Sequence, residues 1–334
     1  MKENAMQAKA VIFTAPHQII LDTVQIPAPA AGEVLLEALY TLISPGTELR
    51  CRAGKQEGVR FPFIPGYSFV GRVLARGEGA TLPEGTLVYC NGASAASVNL
   101  GWGGHVSHAV RAERELYPLP DGLDPLHASA AHLAAIAYRG VRLSQPRPHE
   151  TVAVIGLGAI GALAARLCAL TGARVVAADL SSFRVTLAQQ AGIEAFVPQG
   201  ALAEAFAQIL PEAADVVVDA TGAPAVLPQA IEVAKMKPWD DSADPGPRFV
   251  IQGSYPDAFS VPYQPAFSRE LSLHVPRDAQ PRDFRAVIDF MARGALDVSG
   301  IISDVRSPET AAETYAALAE PGAELITVAF RWRS

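Results

Sequence analysis

Six residues near the middle of the chain, Gly156-Leu157-Gly158-Ala159-Ile160-Gly161, have the types and spacing to cradle a phosphate. Three glycines at this spacing are weak evidence alone, because glycine is common in turns. Here they follow the apolar run 152–155 and open an alanine-rich helical pattern, and a second apolar run then ends at Asp179. That context is what a dinucleotide-binding turn requires. Gly156 permits a tight strand-to-helix turn, Gly158 lets a pyrophosphate approach the backbone, and Gly161 lets helix and strand pack closely. The phosphate charge then sits over the free N–H groups of the helix start, where Ala159 and Ile160 stand. Asp179 can accept hydrogen bonds from two ribose hydroxyls and repels a 2′-phosphate, so NAD(H) is the expected cofactor and NADP(H) the less favoured one. Leu180 and Arg184, just beyond it, are further cofactor-binding candidates. A glycine-rich turn that binds nothing is the plainer reading of the same residues.

The elements that must carry this turn are legible on both sides of it. Apolar runs at 152–156, 175–179, 195–197, 216–219, 249–253 and 272–275 read as strands. Helical patterns at 160–171, 184–191, 202–210 and 225–234 separate them. Strands that are continuously apolar and alternate with helices imply a parallel sheet covered on both faces, a doubly wound α/β unit. The segment 237–248, rich in Pro and Asp, reads as a solvated loop before the fifth strand. Residues 8–120 have a different texture, short β-rich runs punctuated by Gly and Pro, and predict a mainly antiparallel β domain. Helical spacing returns from about residue 126 and leads into the glycine turn. The tail holds two helical patterns, at 281–293 and 307–318, and a last strand-like run. Six strands already complete a dinucleotide sheet, so this tail is expected to return to the β domain. The expected units are therefore 1–122 with 277–334, and 123–276.

Bulk composition removes several function classes. The chain has 334 residues, half of them hydrophobic and 18% charged, with a net charge of −7. Two domains with large cores are the natural expectation. The acidic balance offers no footprint for nucleic acid. No apolar segment has transmembrane length without a charge or a Gly/Pro break, and the start lacks the pattern of a secretory signal, so no membrane partner is expected. Cys51, Cys90 and Cys168 are too few and too scattered for a disulfide framework or a Cys-rich zinc site. A cytoplasmic protein is the simplest fit.

This layout resembles the medium-chain dehydrogenase/reductase superfamily over nearly the whole chain, which implies a GroES-like β domain beside the Rossmann unit. Pro65-Gly66-Tyr67-Ser68-Phe69-Val70-Gly71 stands where that family has P-G-H-E-x-x-G, and Ile43-Ser44-Pro45-Gly46-Thr47-Glu48 where its zinc alcohol dehydrogenases have C-G-T-D. Thr221 with Gly222, and Gly253 with Ser254, look like the loops that contact the nicotinamide ribose. The sequence elements and the aromatic-basic C-terminus look most like the branch that includes bacteriochlorophyllide 3-hydroxyethyl dehydrogenase. The departures are as telling. Pro45 and Tyr67 replace the family's cysteine and histidine ligands, Ser68 its glutamate, and Leu133 falls near the third ligand. A catalytic zinc needs three protein ligands, so the resemblance is to a zinc-independent member, with no metal residues assigned. The structural zinc lobe is missing too, since 90–104 holds one cysteine.

Hydride transfer without zinc still needs a group to handle charge on oxygen. Thr47, at the family's proton-relay hydroxyl, Tyr67 and His132 are the catalytic candidates. Each has a plainer reading: a turn hydroxyl, an aromatic filling the vacant metal position, and a packed histidine. Glu48 is read as a structural ion-pair partner, and His105 and His108 as ordinary strand residues. Tyr40, Phe61, Phe63, Phe69, Trp102 and Tyr255 can line an apolar pocket or simply pack a core. The leading expectation is an NAD(H)-dependent oxidoreductase acting on an alcohol or carbonyl small molecule in an interdomain cleft. A quinone- or enoyl-type C=C reductase and a non-catalytic dinucleotide-binding protein are the alternatives. The family resemblance implies a homodimer joined through its Rossmann sheets.

Overall fold

Short runs rich in β-branched and aromatic residues open the chain as strands. The computed structural model describes residues 5–240, 245–255 and 258–333. The opening strands are β1 (Met6–Ala15), β2 (Gln18–Ile26) and β3 (Glu33–Leu42), followed by helix α1 (Pro45–Arg52). Strands β4 (Phe63–Ile64), β5 (Phe69–Arg76), β6 (Leu87–Cys90), β7 (Asn99–Leu100), β8 (His108–Ala112) and β9 (Tyr117–Pro118) come next. Alternation sets their inner faces. In β1, Ala8 and Ala10 point to one core, while Val11 and Phe13 pack in another. Helix α2 (Pro125–Ala128) begins on a cap: the Asp124 carboxylate accepts from the Leu126 N–H at 2.8 Å, with Pro125 in the first turn.

Helix α3 (Ala131–Ser144) leads into the alternating half, β10 (Thr151–Ile155), α4 (Ala159–Ala169), β11 (Arg174–Ala178), α5 (Ser182–Gln190), β12 (Glu194–Phe196) and α6 (Leu202–Ala207). It continues through β13 (Val216–Asp219), α7 (Leu227–Ile231), β14 (Arg248–Ile251), α8 (Tyr263–Phe267) and β15 (Ser272–His274). The six strands form one parallel sheet in the order β12-β11-β10-β13-β14-β15. The order reverses after β10, so β10 and β13 sit side by side at the switch point, where such sheets bind ligands at the strands' carboxyl ends. Val152, Ala153 and Val154 are fully buried, as a central strand covered on both faces requires. Helices α6 and α7 are shorter than their apolar patterns suggest. The expected loop 237–248 ends where Arg248 starts β14, and its residues 241–244 lie outside the described residues.

The tail supplies α9 (Pro281–Ala292), β16 (Ile302–Arg306), α10 (Ala311–Ala319) and β17 (Thr327–Arg331). Strand β17 pairs with β3 and with β16, completing a sheet ordered β16-β17-β3-β5-β6-β9, with β8 also on β3. A smaller sheet runs β2-β1-β4-β7. Pairing in this half is mostly antiparallel, with parallel contacts at β16–β17 and β4–β7.

The chain divides into two compact units, 1–132 with 288–293 and 302–334, and 133–287 with 294–301. Both boundaries differ from the expected ones. His132 stays with the β-rich unit because its ring is bonded to Tyr67 and Tyr89. Residues 277–287 and 294–301 stay with the α/β unit for equally local reasons. Arg142 of α3 pairs with buried Asp283 at 2.7 Å, and Arg166 of α4 donates to the carbonyls of Asp297 and Ser299 at 2.7 and 2.9 Å. Among the described residues no helix is long and apolar enough to cross a membrane.

Candidate functional site

The three glycines of the turn do three different mechanical jobs. Gly156 has φ +88°, a left-handed backbone that side chains rarely adopt, and this turns the chain from β10 toward α4. A Cβ at Gly161 would lie 1.8 Å from the carbonyl oxygen of Gly156, so only glycine lets α4 press against the strand end. Gly158 precedes Ala159 as the helix N-cap, and a Cβ there would meet nothing within 4 Å. The space over Gly158 and the first turn of α4, with Ala159 and Ile160, is therefore open to an anion. Asp179 closes the far side. Its carboxylate accepts from the Leu157 N–H at 2.6 Å and the Ser181 N–H at 2.8 Å. Arg184 lies 3.6 Å from the same carboxylate, and Leu180 is 84% exposed beside it.

The loops after β13 and β14 are pressed together by glycine. A Cβ at Gly222 would come 2.7 Å from the Ser254 carbonyl oxygen, and one at Gly253 would come 2.3 Å from the Gly222 nitrogen. Fully buried Asp219 ties them further, accepting from the Thr221 N–H at 2.9 Å, from its hydroxyl at 2.6 Å, and from the Tyr255 phenol. Burial, then the Asp219 carboxylate, pushes the Tyr255 phenol well above its usual range. Thr221, Gly222, Gly253 and Ser254 thus share one rigid rim at the carboxyl end of the sheet.

In the β-rich unit, Tyr67 gathers the other candidates. Its phenol donates to the Ser44 hydroxyl and stands 3.4 Å from that of Thr47 in the first turn of α1. The ring is 7% exposed and packs on His132, with centroids 4.4 Å apart, and edge-on to Trp102. His132 is 2% exposed. Its Nδ1 lies 3.0 Å from the Tyr67 carbonyl oxygen, which also accepts from the Tyr89 hydroxyl at 3.1 Å. The Tyr89 hydroxyl also lies 3.1 Å from the same Nδ1. Of the apolar candidates, Phe63 and Phe69 are buried core residues, whereas Trp102 is exposed beside Tyr67.

A second cluster escaped the sequence. Glu48 and His105, read there as an ion-pair partner and an ordinary strand residue, are both fully buried with Glu48 Oε2 2.9 Å from His105 Nε2. Glu48 also accepts from the Ser44 N–H at 2.6 Å and from the Tyr315 phenol. His105 Nδ1 lies 2.8 Å from the Thr41 hydroxyl, to which the Trp332 indole donates at 2.9 Å. Tyr315 and Trp332 arrive from the tail, which no local spacing reveals. Burial and the Glu48 charge hold the Tyr315 phenol far above its ordinary value. Gly66 makes room for this cluster: its φ is +82°, and a Cβ there would strike the His105 ring at 2.6 Å.

The residues at the family's metal positions do not suit zinc. Pro45 has no donor, Leu133 is buried hydrocarbon, and the Tyr67 phenol is engaged with Ser44 and Thr47. Burial, and for Cys51 also Glu48, holds the thiols of Cys51 and Cys90 at about 12 and 11, far from the thiolate that zinc binds. No group of three or more His, Cys, Asp or Glu side chains among the described residues is arranged to hold a metal ion.

Comparison with known proteins matches residues 30–121 to the alcohol dehydrogenase GroES-like domain and residues 159–293 to the zinc-binding dehydrogenase family. The 2-desacetyl-2-hydroxyethyl bacteriochlorophyllide A dehydrogenase of Cereibacter sphaeroides is 25% identical, over 98% of this chain and 99% of its own. The L-galactonate-5-dehydrogenase of Escherichia coli is also 25% identical, covering 91% of this chain and 93% of its own. A putative zinc-binding dehydrogenase of Sinorhizobium meliloti, solved bound to NADP, shares the fold with a TM-score of 0.85 at 23% identity, covering 98% and 99% of the two chains. An Escherichia coli alcohol dehydrogenase solved with NADH gives 0.84 at 22% identity, covering 97% and 99%.

Proposed function

This chain belongs to the medium-chain dehydrogenase/reductase superfamily, and from that premise we propose that it is a zinc-independent, NAD(H)-preferring oxidoreductase of an alcohol or carbonyl substrate. The observation that carries the reading is the hydroxyl cluster of Thr47, Tyr67 and Ser44 in place of a metal ligand set. Asp179, facing the glycine turn, supports NAD(H), since a carboxylate receives ribose hydroxyls and repels a 2′-phosphate. The 156–161 turn and Asp179 would hold a nicotinamide dinucleotide, which would supply or take the hydride.

The chain's own residues handle the oxygen. In the reducing direction the Tyr67 phenol turns from Ser44 to the carbonyl oxygen and stabilises its developing charge. The phenol gives its proton to that oxygen, so that the product of the reducing direction is the alcohol. The phenol recovers a proton from the Thr47 or Ser44 hydroxyl, and ultimately from water. Oxidation runs the same steps backward. His132 is a positioning residue in this scheme, holding the Tyr67 ring by packing and its carbonyl by a hydrogen bond. The exposed apolar residues Leu273 and Val275 at the edge of the parallel sheet support a homodimer. A cavity of about 380 Å³ lined by Trp239, Tyr263 and Phe267 shares no residue with the candidate site. Three buried free cysteines accord with a reducing cytoplasm.

The test is steady-state NADH oxidation with ketones, enones and quinones, before and after chelation. Turnover of ketones that survives chelation, and falls about 10²- to 10³-fold in Tyr67→Phe with NADH affinity unchanged, supports the reading. Turnover confined to enones or quinones would overturn it in favour of C=C reduction. Loss of activity on chelation, restored by zinc, would overturn metal independence.

A further inference from the structure

Trp102 is an expensive residue to place where it is. Its backbone is left-handed, φ +74°, a conformation that a bulky side chain seldom adopts. The indole is 41% exposed, so burial offsets only part of that cost. The turn that carries it is held rigidly. Gly101 and Gly103 both donate to the Ile64 carbonyl, at 2.9 and 3.2 Å, and Gly104 donates to the Gly66 carbonyl at 2.8 Å. A Cβ at Gly101 would fall 2.5 Å from the Phe63 ring, and one at Gly104 2.5 Å from the Gly66 carbonyl carbon. The turn is thus stapled to the same Pro65-Gly66-Tyr67 segment that presents the phenol. The two rings stand nearly perpendicular, at 85°, with centroids 5.6 Å apart. Strained backbone held by over-determined surroundings marks functional positions.

We infer that Trp102 is a specificity-determining residue: a flat wall beside Tyr67 that receives a planar, conjugated group attached to the reacting carbon. The inference rests on the reading of Tyr67 as the group at the substrate oxygen. An aryl ketone, or the secondary alcohol it forms, places its oxygen at the phenol and its ring against the indole, where aromatic pairing adds to simple burial. A saturated ring of the same size buries similar area without that pairing. The substrate class is therefore aryl or otherwise conjugated ketones and their alcohols.

The experiment compares acetophenone with cyclohexyl methyl ketone, matched in size and differing in flatness, on the NADH-loaded protein. Two readouts are taken, turnover and equilibrium binding by ligand-observed NMR. The variants are Trp102→Gly, which suits the left-handed backbone and so preserves the turn, and Trp102→Phe, which keeps a ring. Wild type is expected to prefer acetophenone by about tenfold, Trp102→Gly to lose that preference, and Trp102→Phe to keep most of it. A preference that is absent in wild type, or unchanged in Trp102→Gly, overturns the inference even if both ketones turn over. If neither ketone is reduced, the proposed hydride chemistry falls, and the binding preference alone decides the role of Trp102.

Discussion

Glu48 and His105 meet at 2.9 Å with neither side chain reaching solvent. The contact holds more than itself, because Glu48 follows Thr47 on α1 and also anchors the Ser44 N–H and the Tyr315 phenol. One buried carboxylate therefore fixes the backbone that carries the two hydroxyls around Tyr67. A buried charge stabilises only while its partners remain, so removing either member leaves the other buried and unpaired. Glu48→Ala is expected to lose about 3–5 kcal/mol of unfolding free energy, as breaking a buried pair commonly does. His105→Ala should be destabilised too, and the double variant less so than the sum of the two. Denaturant unfolding of the four proteins measures this, and strict additivity would count against a coupled network.

Gly158 and Gly161 separate binding from folding. Gly158 has an ordinary negative φ and open space around its Cβ position, whereas a Cβ at Gly161 would lie 1.8 Å from the Gly156 carbonyl oxygen. Gly158→Ala is expected to fold with an unchanged melting temperature and to bind NADH at least about tenfold more weakly, because the methyl occupies the pyrophosphate's approach. Gly161→Ala should lower the melting temperature, since α4 must move off the sheet. Equal melting losses in both variants would refute the separation, and unchanged NADH affinity in Gly158→Ala would show that the open space over Gly158 has no role in binding.

The Asp179 carboxylate does two jobs that one substitution separates. It accepts from the Leu157 and Ser181 N–H groups, and Arg184 lies 3.6 Å away. Asp179→Ala removes the acceptor for the ribose hydroxyls and leaves the guanidinium without its nearby anion. NADH affinity is expected to fall about 10- to 100-fold, the worth of hydrogen bonds to a charged group. NADPH should lose little or gain, because the repulsion disappears and Arg184 can pair with the extra phosphate. Titration of both cofactors by fluorescence decides the matter, and parallel losses would refute NAD(H) preference.

What was legible in the sequence was whatever is encoded locally. The run before Gly156, the three glycines and Asp179 lie within one strand–turn–helix–strand stretch, so their pattern sufficed to place them around one turn. The inner strands β10, β11, β13 and β14 were legible because a strand covered on both faces has no polar face to blur its apolar run. The Glu48–His105–Tyr315–Trp332 network was not, since its members come from four separate segments and only folding joins them. Trp102 was one aromatic among six until its backbone angle and exposure set it apart from buried Phe63 and Phe69. The unit boundaries differ from the expected ones for a related reason. Long-range contacts, Arg142 to Asp283 and Arg166 to the Asp297 carbonyl, tie residues 277–287 and 294–301 to the α/β unit.

Asp215 sets a pH limit on the α/β unit. It stands just before β13 and reaches the start of β10, accepting from the Thr151 N–H at 2.7 Å and its hydroxyl at 3.1 Å, and from the Lys235 ammonium at 2.8 Å. Partial burial alone would raise its carboxyl, but the Lys235 and Thr151 donors outweigh it and hold the group below the ordinary aspartate value of 3.8. The unfolded chain therefore takes up this proton first as pH falls. The contribution to stability is whole above the ordinary value and drains away as pH drops through the lower folded value. Asp215→Asn is expected to cost about 1.5–3 kcal/mol near neutral pH, the range for hydrogen bonds to charged groups. The gap between wild type and variant should stay level from about pH 7 to 5 and narrow below about pH 4. Chemical unfolding across that range measures it, and a gap that persists undiminished in acid would show that packing, not the carboxylate's charge, joins β10 to β13.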